Sequence, residues 1–89
     1  MIKKKIEIIN KLGLHARAAA KFVNLSGKFS SQIQVKSNSK IVNGKSIMGV
    51  MMLAASKGKI IEVIANGIDE EEAITAIEEL ITNKFGEDE

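Results

Sequence analysis

Apolar residues recur with the period of a strand in some segments of this 89-residue chain and with the period of a helix in others. This alternation limits the fold of the chain more than any other feature. Near the start, Ile2, Ile6 and Ile8 are separated by charged side chains, which is the period of two of a strand with one solvated face. Related patterns predict four strands, at residues 2–8, 31–37, 40–42 and 60–66. A polar hairpin turn at residues 37–40 separates the second strand from the third.

Helical patterns occupy two of the segments between these strands. Residues 16–27, ARAAAKFVNLSG, are rich in alanine, and Gly27 suits a left-handed position after the last turn. Ser46 is placed to cap a short helix over residues 47–54.

A third helix follows the last strand. Asp69 and Glu72 make a capping-box-like start, Phe85 extends the apolar stripe and Gly86 can end the helix. The element order is therefore β-α-β-β-α-β-α, which predicts a two-layer α/β sandwich with the long helices on one face of an antiparallel sheet. No linker or repeat is visible, so we expect a single domain over residues 1–89.

Composition excludes several classes of function. With no cysteine and one histidine, neither a disulfide framework nor a His/Cys metal site is available, and we expect no metal and no cofactor. No segment reaches the roughly 20 apolar residues that span a membrane, and no signal-peptide core follows the basic start, so we expect a cytoplasmic protein without membrane insertion. A net charge of +2, scattered basic residues and only three aromatic residues, all Phe, do not indicate a nucleic-acid partner.

The one histidine, His15, lies in GLHARAAAKF at the start of the first predicted helix. Unpaired backbone N–H groups and the helix dipole make such a position a natural anion site, especially for phosphate. Arg17, two residues on, can add charge-assisted hydrogen bonds. Neutral imidazole is a nucleophile, so His15 could carry a phosphoryl group, which Arg17 and the amides from Ala16 onward would hold. The absence of a P-loop indicates that the chain does not itself draw on a nucleotide.

The segment NGKSIMGVMML, residues 43–53, is apolar almost all round. A short helix on a sheet buries one side only, so several of these side chains should be exposed together as a binding surface. The alternative is a deeply seated core helix in which methionines fill gaps. For Ser46 the alternative to a modification site is a plain helix cap.

Two motifs, GLHAR at 13–17 and NGKSIMGVM at 43–51, resemble the HPr-type phosphocarrier proteins of the bacterial phosphoenolpyruvate-dependent phosphotransferase system. The similarity extends over essentially the whole chain. It implies an open-faced sandwich with a four-stranded antiparallel sheet and three helices on one side. It also implies a carrier, not an enzyme, in which His15 accepts a phosphoryl group on Nδ1 from phosphorylated enzyme I. The group then passes to a histidine of an enzyme IIA domain.

The resemblance also assigns roles to individual residues. Arg17 corresponds to the active-site arginine, and Ser46 to a serine that an ATP-dependent HPr kinase/phosphorylase modifies in many relatives, with effects on transfer and on binding to a transcriptional regulator. The implied partner surface comprises Ala16, Ala20, Ile47, Met48 and Met51. Proline often follows the active-site arginine in this family, whereas this chain has Ala18, a strong helix former.

Two other functions are weighed against the carrier. One is a regulatory module that works only through phosphorylation of Ser46, and the other is a basic nucleic-acid binder, which the composition disfavours. The resemblance leaves open whether the relay serves sugar transport or regulation alone. We expect a monomer, with Lys21, Lys28 and Lys45 steering acidic partner surfaces.

Overall fold

The computed structural model describes residues 1–88. Its elements are β1 (Ile2–Glu7), α1 (Ala16–Ser26), β2 (Gln32–Ser37), β3 (Lys40–Asn43), α2 (Ile47–Met52), β4 (Ile60–Asn66) and α3 (Glu70–Thr82), followed by a 3-10 turn at Lys84–Gly86. The predicted order of strands and helices is confirmed.

The four strands form one antiparallel sheet in the order β1-β4-β2-β3. Strand β4 is paired on both edges, which accounts for its long apolar run IIEVIAN. Ile6 lies opposite Ile61, and Val35 lies opposite Val63, so their side chains share one face. Lys3 and Lys5 alternate with these positions on β1 and face away from the core. The predicted open-faced sandwich is confirmed.

The core lies between this apolar face and the helices. Phe22 of α1 and Ile77 and Ile81 of α3 are completely buried against it. The fully buried strand residues are Ile33, Val35, Ile61, Val63 and Ala65. The apolar faces of α1 and α3 therefore cover one face of the sheet, as predicted for the long helices.

The predicted left-handed conformation of Gly27 is wrong. Gly27 has φ −65° and ψ −16°, which is right-handed, and its N–H donates to the carbonyl of Val23 at 2.9 Å. The chain continues in tight turns, with the N–H of Phe29 donating to the carbonyl of Ser26 at 3.2 Å. Helical geometry therefore runs past α1 without a glycine-dependent stop.

The predicted capping box at Asp69 and Glu72 is also wrong. The Asp69 carboxylate accepts hydrogen bonds from the N–H groups of Ser30 and Ser31 at 2.8 and 2.9 Å, and from the Ser31 hydroxyl at 2.5 Å. Asp69 therefore joins the start of α3 to the loop before β2 instead of capping its own helix. Glu70 occupies the local role, since its carboxylate accepts from the N–H of Gly67 at 3.1 Å.

Two helices end earlier than predicted. Helix α2 stops at Met52, and Ala54 follows with φ +49°. Helix α3 stops at Thr82, so Gly86 does not end it. Phe85 is buried as predicted, but a turn with φ +55° places it there, and the chain then returns toward the start of α1.

Candidate functional site

His15 lies at the junction between a fixed loop and helix α1. It is the N-cap residue, with extended backbone at φ −73° and ψ 176°, and its carbonyl accepts from the N–H of Ala19 at 2.8 Å. The N–H groups from Ala16 to Ala18 precede this first helical bond and have no partner within the helix. These unpaired N–H groups give the start of α1 a partial positive charge, which stabilises a bound anion.

The loop before His15 is fixed by the buried side chain of Asn10. Its amide Nδ2 donates to the carbonyl of Gly13 at 2.8 Å, and the N–H of Gly13 donates back to the Asn10 carbonyl at 3.2 Å. The N–H of Leu14 donates to the carbonyl of Ala55 at 2.9 Å. A side chain cannot replace the hydrogen of Gly13, because its φ is +65° and a Cβ would lie 2.5 Å from the Ala55 oxygen.

The ring of His15 contacts a carboxylate that the sequence analysis did not identify. Its Nε2 lies 2.5 Å from Oε2 of Glu87, and Oε1 of Glu87 accepts from Nδ2 of Asn10 at 3.0 Å. The two side chains are 28% and 15% exposed, so the pair is only partly accessible to solvent. Seventy-two positions separate the two residues, and the acidic segment around Glu87 has the pattern of a solvated surface. The one feature of the sequence that could have indicated Glu87 was the apolar Phe85, because its burial brings this segment back to the core.

Glu87 is held as an ionised carboxylate. Burial by itself raises its pKa, but hydrogen bonds from His15 and Asn10 and the positive charge of Lys21 outweigh that effect and lower the pKa below the ordinary glutamate value. Lys21 also fixes the backbone here, since its Nζ donates to the carbonyl of Phe85 at 2.6 Å.

A surface concavity surrounds the histidine and brings part of the predicted site together. Its lining residues are Lys11, Leu12, His15, Ala16, Arg17, Glu87 and Asp88. Three of these, His15, Ala16 and Arg17, are predicted site residues, and Arg17 is exposed at the rim. Leu12, an exposed apolar side chain beside the ring, was not predicted.

The remaining predicted residues lie outside this concavity: Ala20 is on α1, and the others are at the start of α2 or within it. The Ser46 hydroxyl caps α2 by accepting from the N–H of Gly49 at 3.2 Å. Ile47, Met48 and Met51 are exposed, while Val50 is buried in the core. Each of the two alternatives for this segment therefore holds for part of it: one side of α2 packs in the core, and the other side is exposed.

Helices α1 and α2 contact each other, which brings the exposed side of α2 beside the outer surface of α1. There Ala16 is exposed and Ala20 is half-buried. We call Ala16, Ala20, Ile47, Met48 and Met51 the α1–α2 apolar patch. Lys45, one of the lysines expected to steer partners, makes an intramolecular hydrogen bond: its Nζ donates to the carbonyl of Phe29 at 2.6 Å.

The fold and the site define a class of protein: a small open-faced sandwich that presents one histidine at a helix N-terminus, beside an arginine and an apolar surface. The chain belongs to the family described as PTS HPr component, phosphorylation site, which it matches over residues 2–83. It is 56% identical over 89 residues to phosphocarrier protein HPr of Neisseria meningitidis serogroup A, with 100% of both chains covered. It is 55% identical over 86 residues to the HPr of Pseudomonas aeruginosa, covering 96% of each.

Solved structures agree with this assignment. A crystal structure of HPr from Thermoanaerobacter tengcongensis matches with a TM-score of 0.96 and 55% identity over 100% of both chains. HPr from Bacillus anthracis matches with a TM-score of 0.87 and 39% identity, covering 90% of this chain and 95% of that one. A dimer form of the Thermoanaerobacter protein matches with a TM-score of 0.79 and 56% identity, covering 98% of this chain and 100% of that one. The resemblance based on the two motifs is confirmed, and the chain is a phosphocarrier of the phosphotransferase system.

Within residues 1–88, no helix is long and apolar enough to cross a membrane.

Proposed function

We propose that His15 accepts a phosphoryl group from phosphorylated enzyme I and passes it to a histidine of an enzyme IIA domain, in a cytoplasmic relay. The observation that carries this proposal is the position of His15, partly exposed at the N-cap of α1 and in one concavity with Arg17. Family membership supports the same role.

The chemistry needs few groups. A lone pair on the His15 ring attacks phosphorus, an N–P bond forms, and the bond from phosphorus to the donor nitrogen breaks. The amides at the start of α1 and the guanidinium of Arg17 are available to stabilise the phosphoryl oxygens. Because the donor already carries an activated phosphoryl group, the carrier needs no nucleotide or metal of its own.

The α1–α2 apolar patch is the surface that we propose for docking with both partners. Its exposed side chains lie on α1, which begins directly after His15, and on α2, which contacts α1, and its methionines can repack against different proteins. Such contacts suit a monomeric carrier that must release each partner after transfer. The exposed ammonium group of Lys28 would raise the encounter rate with an acidic partner.

A second, regulatory function is proposed for Ser46. Its half-buried hydroxyl makes one hydrogen bond, of 3.2 Å, which a kinase could break without disturbing the core. The start of α2 would tolerate the added negative charge. We propose that an HPr kinase/phosphorylase acts here and that phosphorylation alters transfer through His15 and binding to a transcriptional regulator.

Incubation with enzyme I and phosphoenolpyruvate tests the carrier function directly. Wild-type protein and Ser46→Ala should gain one acid-labile phosphoryl group, detected by mass spectrometry, whereas His15→Ala should gain none. A folded wild-type protein that gains no phosphoryl group from active enzyme I would refute the carrier proposal. Phosphorylation at Ser46 alone, by an ATP-dependent kinase, would then favour the purely regulatory function.

A further inference from the structure

The carrier chemistry described above leaves the Glu87 carboxylate without a role, although it makes the closest contact to the reactive ring. Oε2 of Glu87 and Nε2 of His15 are 2.5 Å apart, closer than the two atoms of an ordinary N–H···O hydrogen bond. An ionised carboxylate can only accept hydrogen bonds. The hydrogen in this contact therefore belongs to Nε2 of the ring.

The carboxylate is fixed by its surroundings. Its second oxygen, Oε1, accepts from Nδ2 of the fully buried Asn10 at 3.0 Å. The same Nδ2 donates to the carbonyl of Gly13, in the loop that sets the position of His15. One buried amide thus aligns both the ring and its acceptor.

The backbone that carries Glu87 is equally well held. Phe85, two residues earlier, is completely buried in the core. The ammonium group of Lys21 donates to the carbonyl of Phe85 at 2.6 Å and connects this segment to α1. Glu87 therefore reaches the ring from an anchored turn.

We propose that Glu87 is a positioning residue for phosphoryl transfer, which keeps the proton on Nε2 of His15 and leaves the lone pair of Nδ1 free to attack phosphorus. This role rests on the proposed carrier function. A neutral imidazole has one protonated and one unprotonated nitrogen, and the hydrogen bond at one nitrogen determines the state of the other. The two nitrogens point in different directions, so the carboxylate occupies one and does not block the other.

The transfer step balances without movement of a proton. The Nδ1 lone pair forms the new N–P bond, and the electron pair of the donor's N–P bond returns to the donor nitrogen. The Nε2 proton stays on His15, so the phosphorylated ring carries a positive charge, which the Glu87 carboxylate offsets. The same contact assists the second transfer, from His15 to the acceptor, because a cationic ring is a better leaving group than a neutral one.

Nuclear magnetic resonance of ¹⁵N-labelled full-length protein tests the contact independently of any partner. In the wild type, the ring nitrogens should report a proton almost entirely on Nε2 and a downfield, slowly exchanging hydrogen-bonded proton. In Glu87→Gln, whose amide oxygen is a weaker acceptor than a carboxylate, the downfield proton should move upfield, and in Glu87→Ala it should vanish. In both variants the Nδ1-protonated form should become visible. Glu71→Gln, the same change at an exposed site in the first turn of α3, should match the wild type.

The rate of phosphoryl uptake from phosphorylated enzyme I is the second readout. Loss of an orienting partner typically costs tenfold or more, so both Glu87 variants should react roughly tenfold more slowly than wild type and Glu71→Gln. Glu87→Gln preserves the size of the side chain, so a loss of rate in that variant with an unchanged melting temperature would not reflect misfolding.

The outcomes separate the two proposals. If the Glu87 variants show wild-type ring signals and wild-type rates, Glu87 has no positioning role and the carrier function stands. If the wild type takes up no phosphoryl group, the carrier function fails, and the role of Glu87 in transfer fails with it.

Discussion

At the scale of single residues, the position of the reactive ring depends on Gly13, two residues before it. A Cβ at Gly13 would meet backbone atoms, 2.5 Å from the Ala55 oxygen and 2.8 Å from Cα of Ser56, which cannot rotate away. We expect Gly13→Ala to lower the free energy of unfolding by about 1–3 kcal/mol, the scale of a strained backbone, and to slow phosphoryl uptake. Urea unfolding of both proteins measures the first effect.

Gly58 provides the matched control for this substitution. Its φ is also positive, at +92°, but a Cβ there would meet no atom within 4 Å. Gly58→Ala therefore carries the conformational penalty without the clash and should cost less. Equal losses at the two positions would show that the contact with Ala55 is unimportant.

Arg17 is the second residue whose contribution can be isolated. Its exposed guanidinium is expected to bind the phosphoryl oxygens and to contribute little to the fold. Hydrogen bonds to charged groups are worth about 1.5–3 kcal/mol, so Arg17→Gln should slow uptake about tenfold to a hundredfold. Lys3→Gln, which removes the same charge from an exposed position on the face of β1 that points away from the core, should leave the rate nearly unchanged. A melting temperature that falls only for Arg17→Gln would contradict this division of roles.

At the scale of secondary-structure elements, the sequence predicted what the elements are better than where they end. Strand alternation and helical stripes are local properties, and all seven major elements were found in the predicted order. Ends depend on partners far along the chain: Asp69 bonds Ser31, 38 positions away, and not its own helix. The site follows the same division, because His15 and Arg17 lie in a local motif, whereas Glu87 reaches the ring only through the folded turn after α3.

The link between α3 and β2 predicts a pH-dependent contribution to stability. Hydrogen bonds from the Ser31 hydroxyl and then the Ser30 amide outweigh burial and lower the pKa of Asp69 below the ordinary aspartate value. A carboxyl group whose pKa is lower in the folded than in the unfolded chain stabilises the fold above the unfolded pKa. That stabilisation is lost as pH falls through the folded pKa.

Asp69→Asn should therefore unfold at a lower urea concentration than wild type at neutral pH, and this difference should shrink as pH falls below about 4. Glu72→Gln, in the first turn of the same helix, separates this effect from a general loss of negative charge at the helix start. A gap between Asp69→Asn and wild type that stays constant down to acidic pH would indicate that hydrogen-bond geometry, and not ionisation, stabilises the link.

At the scale of the whole molecule, the two ends of the sheet have different roles. The loop before His15 leaves the sheet after Glu7, which pairs with Ile60 at the start of β4. The link from Asp69 to Ser31 lies at the opposite end, after β4 and before β2. One end thus carries His15 and the proposed phosphoryl site, and the other connects helix α3 to the sheet.

The α1–α2 apolar patch can be tested against an exposed apolar side chain that lies outside it. Met48, in the patch, is 69% exposed, and Ile68, in the turn between β4 and α3, is 96% exposed. Neither contributes to the core, so truncation to alanine should leave the melting temperature of both variants near that of wild type. Burial of a methionine side chain against a partner is worth about 1.5–3 kcal/mol, so Met48→Ala should raise the concentration needed for half-maximal transfer about tenfold. Ile68→Ala should transfer like the wild type, because Ile68 lies outside the proposed docking patch.

Steady-state phosphoryl transfer from enzyme I, measured over a range of carrier concentrations, distinguishes the two variants. Equal behaviour of both would place the docking surface elsewhere, with the exposed Leu12 beside the His15 ring as the next position to truncate.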